Sequence, residues 1–214
     1  MSSKKYKIAL IPPDGSLLKQ DFTLHKIAIY LKELNNISVD LLYINDESNL
    51  DNKEIFESCI QLKDKNSMIE QLNETKYDLI IHRSWMHRYT FASILTQEFT
   101  NIVIYIKDWF EEMPQEHYKF LFDTDEDYLA IKKIFESKCK ILSHYGKSYT
   151  DKLAEQYGVD KDDFIYFPEY CLRDNFTIRN KLEYKKTLNF YMLELLLTQV
   201  DQKSYQRLTI FLGL

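Results

Sequence analysis

The chain has 214 residues, 45% of them hydrophobic and 29% charged, with a net charge of −5. That length suits one large domain, or one domain and a short tail, and the apolar share is enough for a packed core. The acidic balance, with both signs interspersed, argues against a nucleic-acid partner, which calls for a basic face.

Lys7 to Pro12 is an apolar run stopped by Pro12-Pro13-Asp14-Gly15, which predicts a buried strand and then a turn. Phe22, Ile27, Leu31 and Leu34 recur at helical spacing, with Asp21 or Thr23 as the cap. Ile37 to Ile44 reads as a second strand and Ile55 to Leu62 as a third. Ser67 to Thr75 predicts a short helix capped by Ser67. Tyr77 to His82 is a fourth strand, Thr90 to Phe99 a helix, and Asn101 to Ile106 the clearest strand of all. An amphipathic helix over 125–138 follows, then a strand at Lys140 to Ser143, a helix at Ser148 to Tyr157 and a strand at Phe164 to Phe167.

Strands whose cores are continuous apolar runs, alternating with helices, predict an α/β fold. It is a Rossmann-like, doubly wound, mostly parallel sheet with helices on both faces and right-handed crossovers. The rhythm stops after Asn175, so the reading is a domain over 1–176 and a tail over 177–214.

Gly15, Gly146, Gly158 and Gly213 are the only glycines. No GxGxxG, P-loop or GxSxG elbow is therefore present. Cys59, Cys139 and Cys171 have no zinc spacing and read as buried thiols of a reducing, cytoplasmic setting. The apolar runs at Ile8 to Ile11 and Phe190 to Leu197 are too short to span a bilayer, so membrane contact is expected to be peripheral at most.

Open α/β sheets bind ligands at the carboxyl ends of their strands. Here those ends gather Asp14, Gly15, Arg83, Ser84, Trp85, Asp108, Trp109, His144, Lys147 and Glu169. Trp85 and Trp109 are platforms for a sugar ring or lids over the core. Asp108, directly after the best strand, is a candidate general base toward a hydroxyl, or a cap for the next segment. His87 is a second candidate base, and Arg83 and Lys147 are candidate ligands for phosphate or an acidic acceptor, or solvated charges. Ser143 and His144 are adjacent on one strand and point to opposite faces, which excludes a nucleophile–base pair.

Residues 139–176 carry a more specific pattern. A strand ends in Ser143, a helix closes on Tyr157-Gly158-Val159, a strand covers Phe164 to Phe167, and Pro168 and Phe176 follow. This resembles the end of the N-terminal, acceptor-side domain of a GT-B-type glycosyltransferase. The family's frequent Asn-Gly after that proline is Glu169-Tyr170 here. Tyr77 to Ser84 and the place of Asp108 resemble the same family, and the likeness covers about 1–190.

The resemblance implies transfer of a sugar from a nucleotide-sugar to a hydroxyl of a carbohydrate or glycolipid acceptor, with no separate cofactor and no metal ion. It implies roles for Asp108 and His87 in catalysis, and for Asp14, Gly15, Arg83, Ser84, Trp85, Trp109, His144, Lys147 and Glu169 in binding. Lys185 to Phe190 resembles the opening of the donor domain, but the glycine expected next is lacking and the chain ends 24 residues after Phe190. A truncated enzyme, or a second chain supplying the donor domain, is the expectation. The alternatives are a non-catalytic binding or assembly module with a Leu-rich partner helix, and an unrelated flavodoxin-like domain.

Overall fold

The computed structural model describes residues 5–17, 22–34, 36–45, 53–84, 89–106, 125–143 and 147–166. All belong to the first of the two units into which the chain divides, Met1–Pro168 and Glu169–Leu214. The expected boundary at 176/177 and the Leu-rich tail lie outside the described residues.

Seven strands form one sheet: β1 (Tyr6–Ile11), β2 (Ile37–Tyr43), β3 (Ser58–Gln61), β4 (Leu79–Ser84), β5 (Ile102–Ile106), β6 (Lys140–Ser143) and β7 (Phe164–Tyr166). Their order is β3-β2-β1-β4-β5-β6-β7, and every pairing is parallel. This is the Rossmann strand order continued by one strand, and it excludes the flavodoxin-like order. The direction of winding reverses between β1 and β4.

Among the described residues, five α-helices accompany the strands: α1 (Phe22–Lys32), α2 (Lys65–Thr75), α3 (Thr90–Glu98), α4 (Asp125–Glu136) and α5 (Lys147–Tyr157). Ala9, Ile11, Ile80, Ile104 and Ile141 bury one sheet face under Met68 and Leu72 of α2, Phe91 and Leu95 of α3, and Ile131 and Ile134 of α4. On the other face lie Ile8, Leu10, Ile81, Val103 and Leu142, all buried. There the β1-to-β2 crossover brings α1, with Leu24, Ile27, Ala28 and Leu31 buried.

Several element boundaries differ from the sequence reading: the third strand begins at Ser58 rather than Ile55, which closes a 3₁₀ turn, and the 125–138 helix ends at Glu136. The fourth strand is shifted by two residues, from Tyr77–His82 to Leu79–Ser84. Tyr77 and Asp78 are engaged before the strand starts: Tyr77 donates its hydroxyl to Asp40 at 2.9 Å, and the Asp78 carboxylate accepts from the Lys7 backbone at 2.8 Å. The expected Ser67 cap is also corrected, because α2 begins at Lys65 with Asp64 as its N-cap. Asp64 accepts from the Ser67 backbone at 2.8 Å, and Ser67 Oγ accepts from the Asp64 backbone at 3.0 Å. Two orphan amides are satisfied reciprocally. The backbone hydrogen bond from Ser67 holds the Asp64 carboxyl below the ordinary aspartate range.

The expected stop at Gly158 is present. Gly158 takes a φ of 65°, and Val159 donates to the Ala154 carbonyl at 2.9 Å, closing α5 in a Schellman arrangement. No helix among the described residues is long and apolar enough to cross a membrane.

Candidate functional site

The candidate site is the carboxyl edge of the sheet around the reversal between β1 and β4. After Ile11 the chain makes a 3₁₀ turn, Pro13–Gly15, in which Asp14 and Gly15 both have positive φ, 55° and 76°. Gly15 is required here for two reasons. Its φ disfavours a side chain, and a Cβ would stand 3.3 Å from Ile44 Cδ1 and 3.4 Å from Met68 Cε. The turn is fixed to the end of β2, because Ile44 donates to the Gly15 carbonyl at 2.8 Å.

The Asp14 carboxylate accepts a hydrogen bond from the Lys65 ammonium, the first residue of α2. The Lys65 ammonium also lies 5.3 Å from the centre of the Phe91 ring. Phe91 in turn meets His82 edge to face, with centroids 5.8 Å apart. The turn after β1, the start of α2, the start of α3 and the end of β4 therefore converge through these four side chains.

His82 is wholly buried on β4, paired in register with Ile11 on one side and Ile104 on the other. Ser84 lies two residues on, so it shares the face, and its Oγ is 3.3 Å from His82 Nδ1. His82 Nε2 has no hydrogen-bond partner among the described residues. Burial pushes the imidazole down to about 3, with Lys65 and then Arg83 adding charge repulsion, so the ring is neutral at pH 7.

Arg83 and Ser84 are strand residues rather than loop residues, and both are buried, at 5% and 0% exposure. The solvated-charge reading of Arg83 is therefore corrected. The cause is the β4–β5 ladder, which runs on through Arg83–Tyr105 and Ser84–Ile106. Lys147 is the first residue of α5 rather than part of a loop, is 79% exposed, and pairs with Asp151 at 2.8 Å. The solvated-charge alternative describes it. It follows β6, which is separated from β4 by β5.

Of the residues proposed from sequence, the structure thus brings Asp14, Gly15, Arg83 and Ser84 to the reversal between β1 and β4. Trp85, His87, Asp108, Trp109, His144 and Glu169 lie outside the described residues. Sequence reasoning missed Lys65 and His82. A signal for Lys65 existed: the first turn of a helix carries partial positive charge, so a lysine there is misplaced unless an acid answers it. His82 offered only its place at the end of an apolar run.

Cys59 and Cys139 are half-buried thiols rather than fully buried ones. Burial raises the Cys139 thiol to about 11, far from a reactive thiolate. Among the described residues, no three His, Cys, Asp or Glu side chains stand together in a way that could hold a metal ion.

No protein-family model matches the sequence, and no curated protein matches it. Among solved structures, the chain is similar to a glycosyltransferase from Rickettsia africae, with a TM-score of 0.50 and 12% identity over 91% of this chain and 50% of that one. An O-GlcNAc transferase of Thermobaculum terrenum aligns with a TM-score of 0.36 and 10% identity, over 80% of this chain and 46% of that one. The Rossmann-like α/β fold derived above is thus also the fold of a solved glycosyltransferase, half of whose length this chain spans.

Proposed function

We propose that this chain is a glycosyltransferase, or the acceptor-binding half of one, of GT-B type. It would move a sugar from a nucleotide-sugar to a hydroxyl of a carbohydrate or glycolipid acceptor. The observation that carries this reading is the parting of β1 and β4. Their ladder ends at Ile11–His82, while β4 continues along β5 for two more pairs. The carboxyl ends of the strands at such a reversal are where open α/β sheets bind polar ligands. Asp14, Lys65, Arg83 and Ser84 supply charge and hydrogen-bonding groups there.

In this reading Asp108, two residues after the end of β5, is the general base toward the acceptor hydroxyl. His87, three residues after the end of β4, is the second catalytic candidate. Trp85, Trp109, His144 and Glu169 follow strands of the same edge in sequence and belong to the binding surface, with Lys147 at its rim. The nucleotide-sugar is a substrate rather than a cofactor. It is bound chiefly by a second domain, in the same longer protein or in a partner chain. Cytoplasmic residence, without nucleic acid and with at most peripheral membrane contact, goes with this role.

The test is a thermal-shift screen of nucleotide-sugars and acceptor glycans. A ligand present at a hundredfold over its Kd adds about 2.7 kcal/mol of stability. Stabilisation by acceptor glycans but not by nucleotide-sugars supports the acceptor-side half. Stabilisation by nucleotide-sugars alone overturns it.

A further inference from the structure

The turn after β1 stands where an open sheet of this strand order receives its ligand. In dinucleotide-binding sheets that turn holds a pyrophosphate through unpaired backbone amides and through glycines that let the anion come close. Here each of those means is otherwise engaged. Pro12 and Pro13 have no N–H to offer. The Gly15 amide donates to the Pro12 carbonyl and the Ser16 amide to the Pro13 carbonyl, each at 2.9 Å. The Leu17 amide donates to Asn45 Oδ1 at 2.6 Å. The space beside Gly15 that an approaching anion would need is lined by Ile44 and Met68. The one other amide of the turn is that of Asp14, beside its own carboxylate.

Asp14 sets the charge of this turn. It is fixed there by its left-handed backbone, its side chain is 30% exposed, and it is paired with Lys65, whose side chain is 38% exposed. An incoming anion meets the carboxylate and gains Lys65 only by breaking the pair. A cation has to displace Lys65 in the same way. A sugar hydroxyl donates and accepts at once. Two neighbouring hydroxyls can therefore bond to the acid and to the ammonium while these stay paired.

We infer that the turn after β1 selects against phosphate, so that the acceptor presents uncharged hydroxyls here and Asp14 is a specificity-determining residue. The inference rests on the acceptor-side reading and names its substrate class, a neutral glycan rather than a sugar phosphate.

Amide NMR of the whole 214-residue chain, read at Gly15, Ser16 and Leu17, tests it. The neutral probes are lactose, maltose, cellobiose and chitobiose; the anionic ones are inorganic phosphate, glucose 6-phosphate and UDP. At least one neutral glycan is expected to shift these signals saturably, and no anionic probe is. Asp14→Asn, at a position whose left-handed backbone asparagine tolerates, weakens that glycan about tenfold or more by removing a hydrogen bond to a charged group. Unchanged affinity overturns the inference, and should the variant fail to fold, the spectra of the parent chain decide alone. A saturable shift of these signals by any anionic probe overturns the inference, as does a neutral glycan that moves other signals only; both leave the acceptor-side reading intact. A response to UDP with none to any sugar or sugar phosphate overturns both, and so does the absence of any response.

Discussion

Asn45 clamps Leu17 at two points: its Oδ1 accepts from the Leu17 backbone at 2.6 Å, and its Nδ2 donates to the Leu17 carbonyl at 2.8 Å. The asparagine lies two residues after β2 and the leucine two residues after the turn that follows β1, so the clamp ties together two neighbouring loops of the site edge. Gln61 extends it to β3 by donating to the Asn45 carbonyl at 3.1 Å. Asn45→Ala removes both hydrogen bonds and leaves part-buried backbone groups to be satisfied otherwise. A loss of about 1–3 kcal/mol in urea unfolding is expected, with the m-value unchanged.

Gly15 and Gly158 share a positive φ but differ in their surroundings. Alanine at either position meets a left-handed penalty of about 1–2 kcal/mol. At Gly158 nothing lies within 4 Å of the added Cβ, so the penalty stands alone. At Gly15 the new methyl also displaces the tips of Ile44 and Met68. Gly15→Ala is therefore expected to lower the melting temperature more than Gly158→Ala, and to weaken ligand binding at the edge where Gly158→Ala does not.

The buried imidazole of His82 makes stability depend on pH with a definite sign. Its folded-state value of about 3 lies below the ordinary 6.5. Between these values the unfolded chain binds a proton that the folded chain refuses, so stability falls as pH falls from 6.5 toward 3. One such group contributes at most about 1.4 kcal/mol per pH unit. His82→Gln is expected to flatten the decline relative to the parent protein, as measured by denaturant unfolding at pH 7, 6, 5 and 4. Equal slopes in the two proteins would remove His82 as the cause.

In the middle of β2, Asp40 is a buried carboxylate that accepts from Tyr77 and pairs with Lys7 at 3.1 Å. Its Oδ1 has no hydrogen-bond partner among the described residues, so the remaining bonds matter. Burial, followed by the Asp40 charge, raises the Tyr77 hydroxyl well above its usual value. Tyr77→Phe is expected to cost about 1.5–3 kcal/mol, the range for a hydrogen bond to a charged group. Titrating the parent protein by ultraviolet absorbance should show one tyrosine that stays protonated until the fold opens.

The fold was legible because runs such as Ile8–Ile11 and Ile102–Ile106 are apolar at every position, as strands covered on both faces must be. All seven strands and their helices were foreseen, including the Gly158 stop. The boundary of β4 was not, because Tyr77 looks like a strand residue and its hydroxyl bond to Asp40 spans 37 positions. The Asp14–Lys65 pair spans 51 positions, and no local pattern announces it. Arg83 read as a loop cation only because its strand was placed two residues early. Local periodicity reports which face is buried; it does not report which distant charge answers a given charge.

The sheet narrows toward its β3 margin. That strand has four residues, while β1 and β4 in the middle have six each. A short margin presents few open amides and carbonyls for another chain to zip onto. Copies of this domain are thereby discouraged from joining their sheets along β3, and a lasting encounter on that side has to be made through side chains.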